Sequence, residues 1–171
     1  MATEPGEEQL RALFRDHYGP MVAFFVRRVG ERADAEELTL AVFATAWRRI
    51  GELPDEAGVR AWLFGIARGL LANHRRQGKR RRRLQDRLSN LRERALPADS
   101  GDDTVVMAAF ARLRPADQEV LRLTIWDGLS AAEAAAVLGC TVNALNVRAH
   151  RARTALRAEY ERVHGRREDL S

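Results

Sequence analysis

The sequence predicts an all-α chain of two small helical domains joined by a flexible linker, the C-terminal one containing a helix-turn-helix. Three observations predict it. Apolar residues recur at three- and four-residue spacing through most of the 171 residues, as on amphipathic helices. Val, Ile and Thr nowhere fall into period-two runs, and aromatic residues are only 6% of the chain, so aliphatic helix packing is expected and strands are not. Between the helical stretches, Leu96 to Asp103 reads L-P-A-D-S-G-D-D, rich in turn formers and acids, with nothing to bury. The expected division is 1–84, a partly helical linker at 85–103, and 104–171.

Residues 7 to 29 suit the first helix, with Leu10, Leu13, Phe14, Tyr18, Met21, Val22, Phe25 and Val29 on its buried side. Gly19-Pro20 predicts a break or kink within it, and Gly30 ends it. Asp34 opens the second helix with Glu37 at capping-box spacing. Leu38, Val42, Phe43, Ala46 and Trp47 form its apolar set, and Gly51 and Pro54 close it. The third runs from about Gly58 to Arg76, apolar on most sides at first and abruptly basic at its end.

From His74 to Arg87, seven arginines and one lysine stand against Asp86 alone, a net of +7. Such a run is either a solvated face or a polyanion-binding surface. Its continuity with a helix bearing Trp62 and Phe64, and a second basic cluster downstream, favour nucleic acid. For Trp62 itself, core packing is read ahead of base stacking. Leu84, Leu88, Leu91 and Ala95 continue at helical spacing and offer an apolar stripe to a partner.

The second domain starts near Thr104, with Val105, Val106, Ala109, Phe110 and Leu113 on one helix. Pro115 suits the first turn of another, through Val120, Leu121, Leu123 and Trp126. Then Ser130 and Glu133 have capping-box spacing. Ala131, Ala134, Ala135 and Leu138 form one face of a short helix, and Gly139 supplies the left-handed backbone of a tight turn. Thr141 is placed to cap a longer helix with an inner stripe at Val142, Leu145, Ala149, Ala152 and Leu156. Its outer face holds Asn143, Val147, His150, Arg151 and Thr154. A helix that is basic outside and apolar inside, reached through a three-residue turn, is the pattern of a DNA-reading helix-turn-helix. Asn can pair with adenine, Arg with guanine or phosphate, and Val147 can meet a thymine methyl. The competing reading is an amphipathic hairpin whose arginines are merely solvated. The tail after Tyr160 is charged and expected to fray.

Net charge is +5 with pI ≈ 10.5, and its concentration in two places points to a polyanionic partner. A lone cysteine, Cys140, rules out an internal disulfide; its place in the helix-turn-helix turn is read as that of a small buried thiol. His17, His74, His150 and His164 lie far apart with no acidic or cysteine partners at ligand spacing, so no metal or other cofactor is expected. Neither a phosphate-binding glycine loop nor a nucleophile elbow occurs, and the chain is read as no enzyme. No apolar run approaches the ~18 residues of a membrane span. The N-terminus M-A-T-E-P-G-E-E is acidic rather than signal-like, so a cytoplasmic protein without direct membrane insertion is expected.

Three segments, L-F-R-D-H-Y-G-P-M-V-A-F-F-V-R-R, D-A-E-E-L-T-L-A-V-F-A-T-A-W-R-R and R-A-W-L-F-G-I-A-R-G-L-L-A-N-H-R-R, resemble region 2 of the extracytoplasmic-function (ECF) sigma factors of bacterial RNA polymerase. The stretch L-R-P-A-D-Q-E-V-L through R-A-H-R-A-R resembles their region 4, in the family's order. The resemblance implies a subunit that directs the RNA polymerase core to promoter DNA, held by the clamp helices through region 2 and the flap through region 4. It implies minus-ten contacts from Arg60, Trp62, Arg68, Asn73, His74, Arg75, Arg76, Lys79 and Arg80. Minus-thirty-five contacts would come from Thr141, Asn143, Asn146, Val147, Arg148, His150, Arg151 and Arg153. Asp34, Glu36, Glu37, Leu40 and Ala41 would face the clamp. An anti-sigma factor is a further implied partner, with Leu40, Leu84, Leu88 and Leu91 as its contacts. Five residues in three places depart from the family. Leu40 and Ala41 stand where a Gln and an acid are usual, Gly69 where many members have a base-reading Asn, and Asn146-Val147 replace a common Lys-Ser. The alternative is a helix-turn-helix regulator that binds DNA without polymerase.

Overall fold

The computed structural model describes residues 5–85 and 102–168, with side chains over 6–78 and 104–165. All regular structure among these residues is helical. The chain divides into two compact units. The first contains α1 (Pro5–Val29), α2 (Arg32–Arg48), a 3-10 turn at Ile50–Glu52 and α3 (Glu56–Gln85). The second is built on α4 (Asp102–Ala111), α5 (Pro115–Leu121), α6 (Ala131–Leu138) and α7 (Val142–Glu168).

The core of the first unit is aromatic. Met21, Phe24 and Phe25 from α1, Val42 and Phe43 from α2, and Leu63 and Phe64 from α3 are buried. The Phe24 ring meets Phe25 and Phe64 edge-on, with centroids 5.0 and 5.4 Å apart, the geometry the ring quadrupole favours. The Arg28 guanidinium lies 3.7 Å above the Phe24 ring, so a cation caps the apolar stack. Thr39 is fully buried because its hydroxyl donates to the Ala35 carbonyl at 2.7 Å.

Several expectations give way here. Helix α1 runs unbroken through Gly19-Pro20, both on its exposed side, where the carbonyl left without a partner can face water. Asp34 does not open α2: the N-cap is Glu31, and Asp34 sits inside the first turn, acting on the helix dipole only. The start of α3 is set by Asp55, whose Oδ1 accepts from the Gly58 amide at 3.1 Å, so that helix begins before Gly58. Helix α3 also continues beyond Arg76, to Gln85. Phe14 and Trp47 are 39% and 42% exposed rather than interior, although Phe14 still stacks with Tyr18 at 4.7 Å.

The second unit packs aliphatic residues around one aromatic ring. Phe110, Leu113, Leu121 and Ala152 form a cluster, with Ala155 and Leu156 against it. Trp126 meets the Phe110 ring edge-on at 4.8 Å, and the Arg122 guanidinium lies 5.0 Å from the centroid of the same ring. The helix expected from Pro115 to Trp126 changes geometry midway. After Leu121 it becomes a π-helical turn over Arg122–Trp126, closed by the Asp127 amide on the Arg122 carbonyl at 2.8 Å. Asp117 is buried at its start because Arg114 Nε donates to its Oδ2 at 3.0 Å. Of the stretch read as linker, Gln85 ends α3 and Asp102 begins α4; residues 86–101, with Leu88 and Leu91, lie outside the described residues. Helix α7 reaches Glu168, past the Tyr160 limit expected of it, with Arg162 and Glu159 pairing at 2.6 Å in that extension.

Candidate nucleic-acid interface

The helix-turn-helix forms as its sequence chemistry requires. The Glu133 amide donates to Ser130 Oγ at 3.2 Å and the Ser130 amide to Glu133 Oε2 at 2.7 Å, a complete capping box. Gly139 takes φ +65°, and the Cys140 amide closes the turn on the Ala135 carbonyl at 3.0 Å. Thr141 Oγ1 then accepts from the Ala144 amide at 3.1 Å and starts α7. Cys140 is half-buried rather than interior, and Val142 is 44% exposed, leaving the inner stripe to Leu145, Ala149 and Ala152, with Leu156 partly buried against the core.

All eight residues of the predicted reading stretch, Thr141, Asn143, Asn146, Val147, Arg148, His150, Arg151 and Arg153, are exposed. At about 100° per residue, Asn143, Val147 and His150 fall on one line, with Arg151 to one side and Arg153 to the other. Their electrostatics differ from those of Arg157 and Arg162 further along the helix. Among the described residues, Arg148, Arg151 and Arg153 have no acidic partner, whereas Arg157 pairs with Glu161 at 3.5 Å and Arg162 with Glu159. Among the described residues these three arginines give the exposed face a polar centre and cationic flanks. That shape fits a duplex groove between two phosphate rails.

The basic helix of the first unit is organised differently. Trp62, Asn73 and Arg76 line one groove along α3, together with Gly58, Gly65 and Gly69. No neighbour stands within 4 Å of where a Cβ would sit on Gly65 or Gly69, so an unfilled floor lies beside a half-buried indole. The Arg76 guanidinium donates to the Asn73 side-chain oxygen across one turn. Arg68 and Arg75 are exposed, and Arg60 is half-buried near the Phe64 ring at 5.8 Å. Lys79 and Arg80 lie on α3, beyond the residues whose side chains are described. One groove residue was not foreseen: Arg49, whose guanidinium lies 5.8 Å from the Trp62 ring centroid. Its sequence signal, the W-R-R at the end of α2, says nothing about facing α3.

His74 faces elsewhere, into a hollow of about 240 Å³ shared with Asp34, Glu37 and Gln77. Asn73 lines this hollow as well, so the structure brings two residues read as polymerase contacts beside two read as DNA contacts. Glu36 turns away and pairs with Arg32 at 2.8 Å. Leu40 is 54% exposed and Ala41 half-buried. Burial of the His17 ring holds its pKa below the ordinary range; the Asp16 carboxylate opposes that and Arg60 adds to it. Among the described residues no histidine, cysteine and acid cluster could hold a metal ion, and no helix is long and apolar enough to cross a membrane.

Comparison with known proteins meets these two surfaces in turn. The Sigma-70 region 2 family profile matches residues 13–81 and the Sigma-70 region 4 profile residues 104–156. The chain is 36% identical over 140 residues to the probable RNA polymerase sigma-C factor of Mycobacterium bovis, covering 80% of this chain and 76% of that one. It is 33% identical over 159 residues to the ECF RNA polymerase sigma factor BldN of Streptomyces coelicolor, covering 87% of this chain and 60% of that relative's length. Among solved structures it resembles the sigma factor RpoE of Bartonella quintana, crystallised with the anti-sigma factor NepR, at TM-score 0.66 and 25% identity over 90% of this chain and 98% of that one. It also resembles CnrH, solved with the cytosolic domain of CnrY, at TM-score 0.63 and 26% identity over 89% of this chain and 87% of that one. With both regions matched, in order and across most of its length, the chain belongs to the ECF group of RNA polymerase sigma factors.

Proposed function

We propose that this chain directs an RNA polymerase core to specific promoters, contacting DNA through two unlike surfaces. The α7 stretch Thr141 to Arg153 reads the minus-thirty-five duplex from its groove. The α3 groove, with Trp62, Asn73 and Arg76 and flanked by Arg68 and Arg75, takes the minus-ten element as its strands part. Asp34, Glu37 and Leu40 face the polymerase clamp, and residues 85–103 span the two DNA-binding units. The observation that carries this reading is that, among the described residues, Arg148, Arg151 and Arg153 on α7 have no acidic partner while Arg157 and Arg162 do. Uncompensated guanidinium groups are what phosphate contacts require, and their use makes binding salt-dependent.

An anti-sigma factor is proposed as the second protein partner. Support comes from the relatives solved with such proteins and from exposed apolar side chains on both units: Phe14, Leu40 and Trp47 on the first, Met107, Ile125 and Trp126 on the second. Transcript sequencing with purified core polymerase, this protein and host genomic DNA tests the main reading. Start sites sharing two spaced elements are expected. Their absence at every salt concentration, with tight sequence-selective protection of DNA by the chain alone, would favour a regulator that works without polymerase.

A further inference from the structure

We infer that Arg49 is a phosphate-positioning residue of the α3 groove, and that Glu52 restrains it by occupying the guanidinium donors a nucleic-acid phosphate would use. The inference rests on the reading of that groove as a DNA surface. Arg49 Nε and Nη2 both donate to a single oxygen, Glu52 Oε2, at 3.0 and 2.5 Å. These are the two parallel donors with which arginine grips an oxyanion. The same guanidinium lies 5.8 Å from the Trp62 ring centroid and lines the groove with Asn73 and Arg76. A phosphate attached to a base resting on Trp62 would meet this fork.

The local fold does not depend on the pair. The Arg49 amide ends α2 by donating to the Thr45 and Ala46 carbonyls, both at 3.1 Å. The following 3-10 turn is closed by the Glu52 amide on the Arg49 carbonyl at 2.8 Å and the Leu53 amide on the Ile50 carbonyl at 3.2 Å. Backbone bonds thus hold the corner, and the side chains are free to exchange partners. The pair is also open to solvent, with side-chain exposures of 45% and 58%, where an ion pair is weak and screened. Its mutual stabilisation, which raises the Arg49 pKa and lowers that of Glu52, is therefore one that a phosphate can replace. Arg76, across the groove, is held by the neutral Asn73 amide instead, so Arg49 is the cation whose release Glu52 controls.

The test uses full-length protein with core polymerase and a fork-junction oligonucleotide, single-stranded downstream, made from a mapped start site. Binding is titrated with salt for wild type, Arg49→Ala, Arg49→Lys, Glu52→Gln and the double variant Arg49→Ala with Glu52→Gln. Arg49→Ala should weaken binding and reduce the log–log salt slope by about one, and Arg49→Lys should keep the slope with weaker binding. Glu52→Gln should tighten binding roughly two- to fivefold, and should have no effect once Arg49 is alanine. Thermal midpoints should be unchanged throughout. An unaltered slope in Arg49→Ala overturns the inference, as does equal tightening by Glu52→Gln in both backgrounds, which would mean general repulsion by the carboxylate. Where wild type opens promoters and these variants match it, only this inference fails. Where wild type binds no fork and opens no promoter, the DNA reading fails and takes the inference with it.

Discussion

The two basic surfaces carry the same kind of charge in opposite shapes. Helix α7 is convex, fixed at its start by Thr141, and its arginines at 148, 151 and 153 are uncompensated among the described residues. The α3 groove is concave, floored by glycines and walled by an indole, and one of its arginines is held by a carboxylate. A convex rod with cationic flanks suits an intact duplex, whose groove it enters. A hollow beside an aromatic ring suits bases that have left the stack. The difference teaches that two surfaces of like charge can differ in curvature and side-chain chemistry, the features by which the proposed reading assigns each a form of nucleic acid.

The largest perturbation removes a buried ring of α3, the helix that carries the groove. Phe64 is fully buried and packs edge-on against Phe24. Phe64→Ala should cost about 3–5 kcal/mol of stability, measured by denaturant unfolding, and should abolish fork binding. Leu145→Ala should cost about 2–5 kcal/mol and strike duplex binding instead. Equal loss of both kinds of binding in each variant would erase the distinction between the surfaces.

Substitutions on the surfaces sharpen the comparison. Trp62→Ala should weaken fork binding by about 1–3 kcal/mol while leaving upstream duplex affinity intact. Arg151→Ala should do the reverse, lowering the salt slope of duplex binding by about one if it contacts phosphate. If it reads a base, the loss should be confined to one position of the site.

Much of this was legible in the chain itself. The helix-turn-helix was readable because each of its joints is a local event: Ser130 with Glu133, Gly139, and Thr141 lie within a few residues of the groups they satisfy. The groove was not, because Arg49 and Trp62 belong to different helices and no spacing rule links them. Phe14, Trp47 and Val142 share the periodicity of core residues but are partly exposed. Periodicity marks a face without saying whether a neighbour covers it. The π-helical turn at Arg122–Trp126 left no trace in composition or spacing, since Leu121, Leu123 and Trp126 read as one continuous helical face.

Smaller effects follow from caps and titration. Thr141→Ala should cost about 1 kcal/mol and fray the start of the reading helix, seen as faster amide exchange at Ala144. Burial disfavours the protonated His17 ring and lowers its pKa, so the unfolded chain binds that proton more readily. Its contribution to stability is complete above the ordinary histidine pKa of 6.5 and is lost as pH falls through the lower folded value. Unfolding midpoints should therefore drop on acidification below that pH, and His17→Gln should flatten the dependence. An unchanged profile in that variant would show that the ring does not titrate differently on unfolding.

The most direct measurement compares open complexes formed by wild type, Trp62→Ala and Arg151→Ala with core polymerase. Permanganate reactivity of unpaired thymines is scored together with nuclease protection of the upstream duplex. Division of labour predicts that Trp62→Ala keeps upstream protection and loses thymine reactivity at the minus-ten element. It predicts that Arg151→Ala loses upstream protection first, with reactivity restored on supplying a pre-melted template. If either variant loses both signals together, or neither loses any, the two surfaces do not serve two forms of DNA.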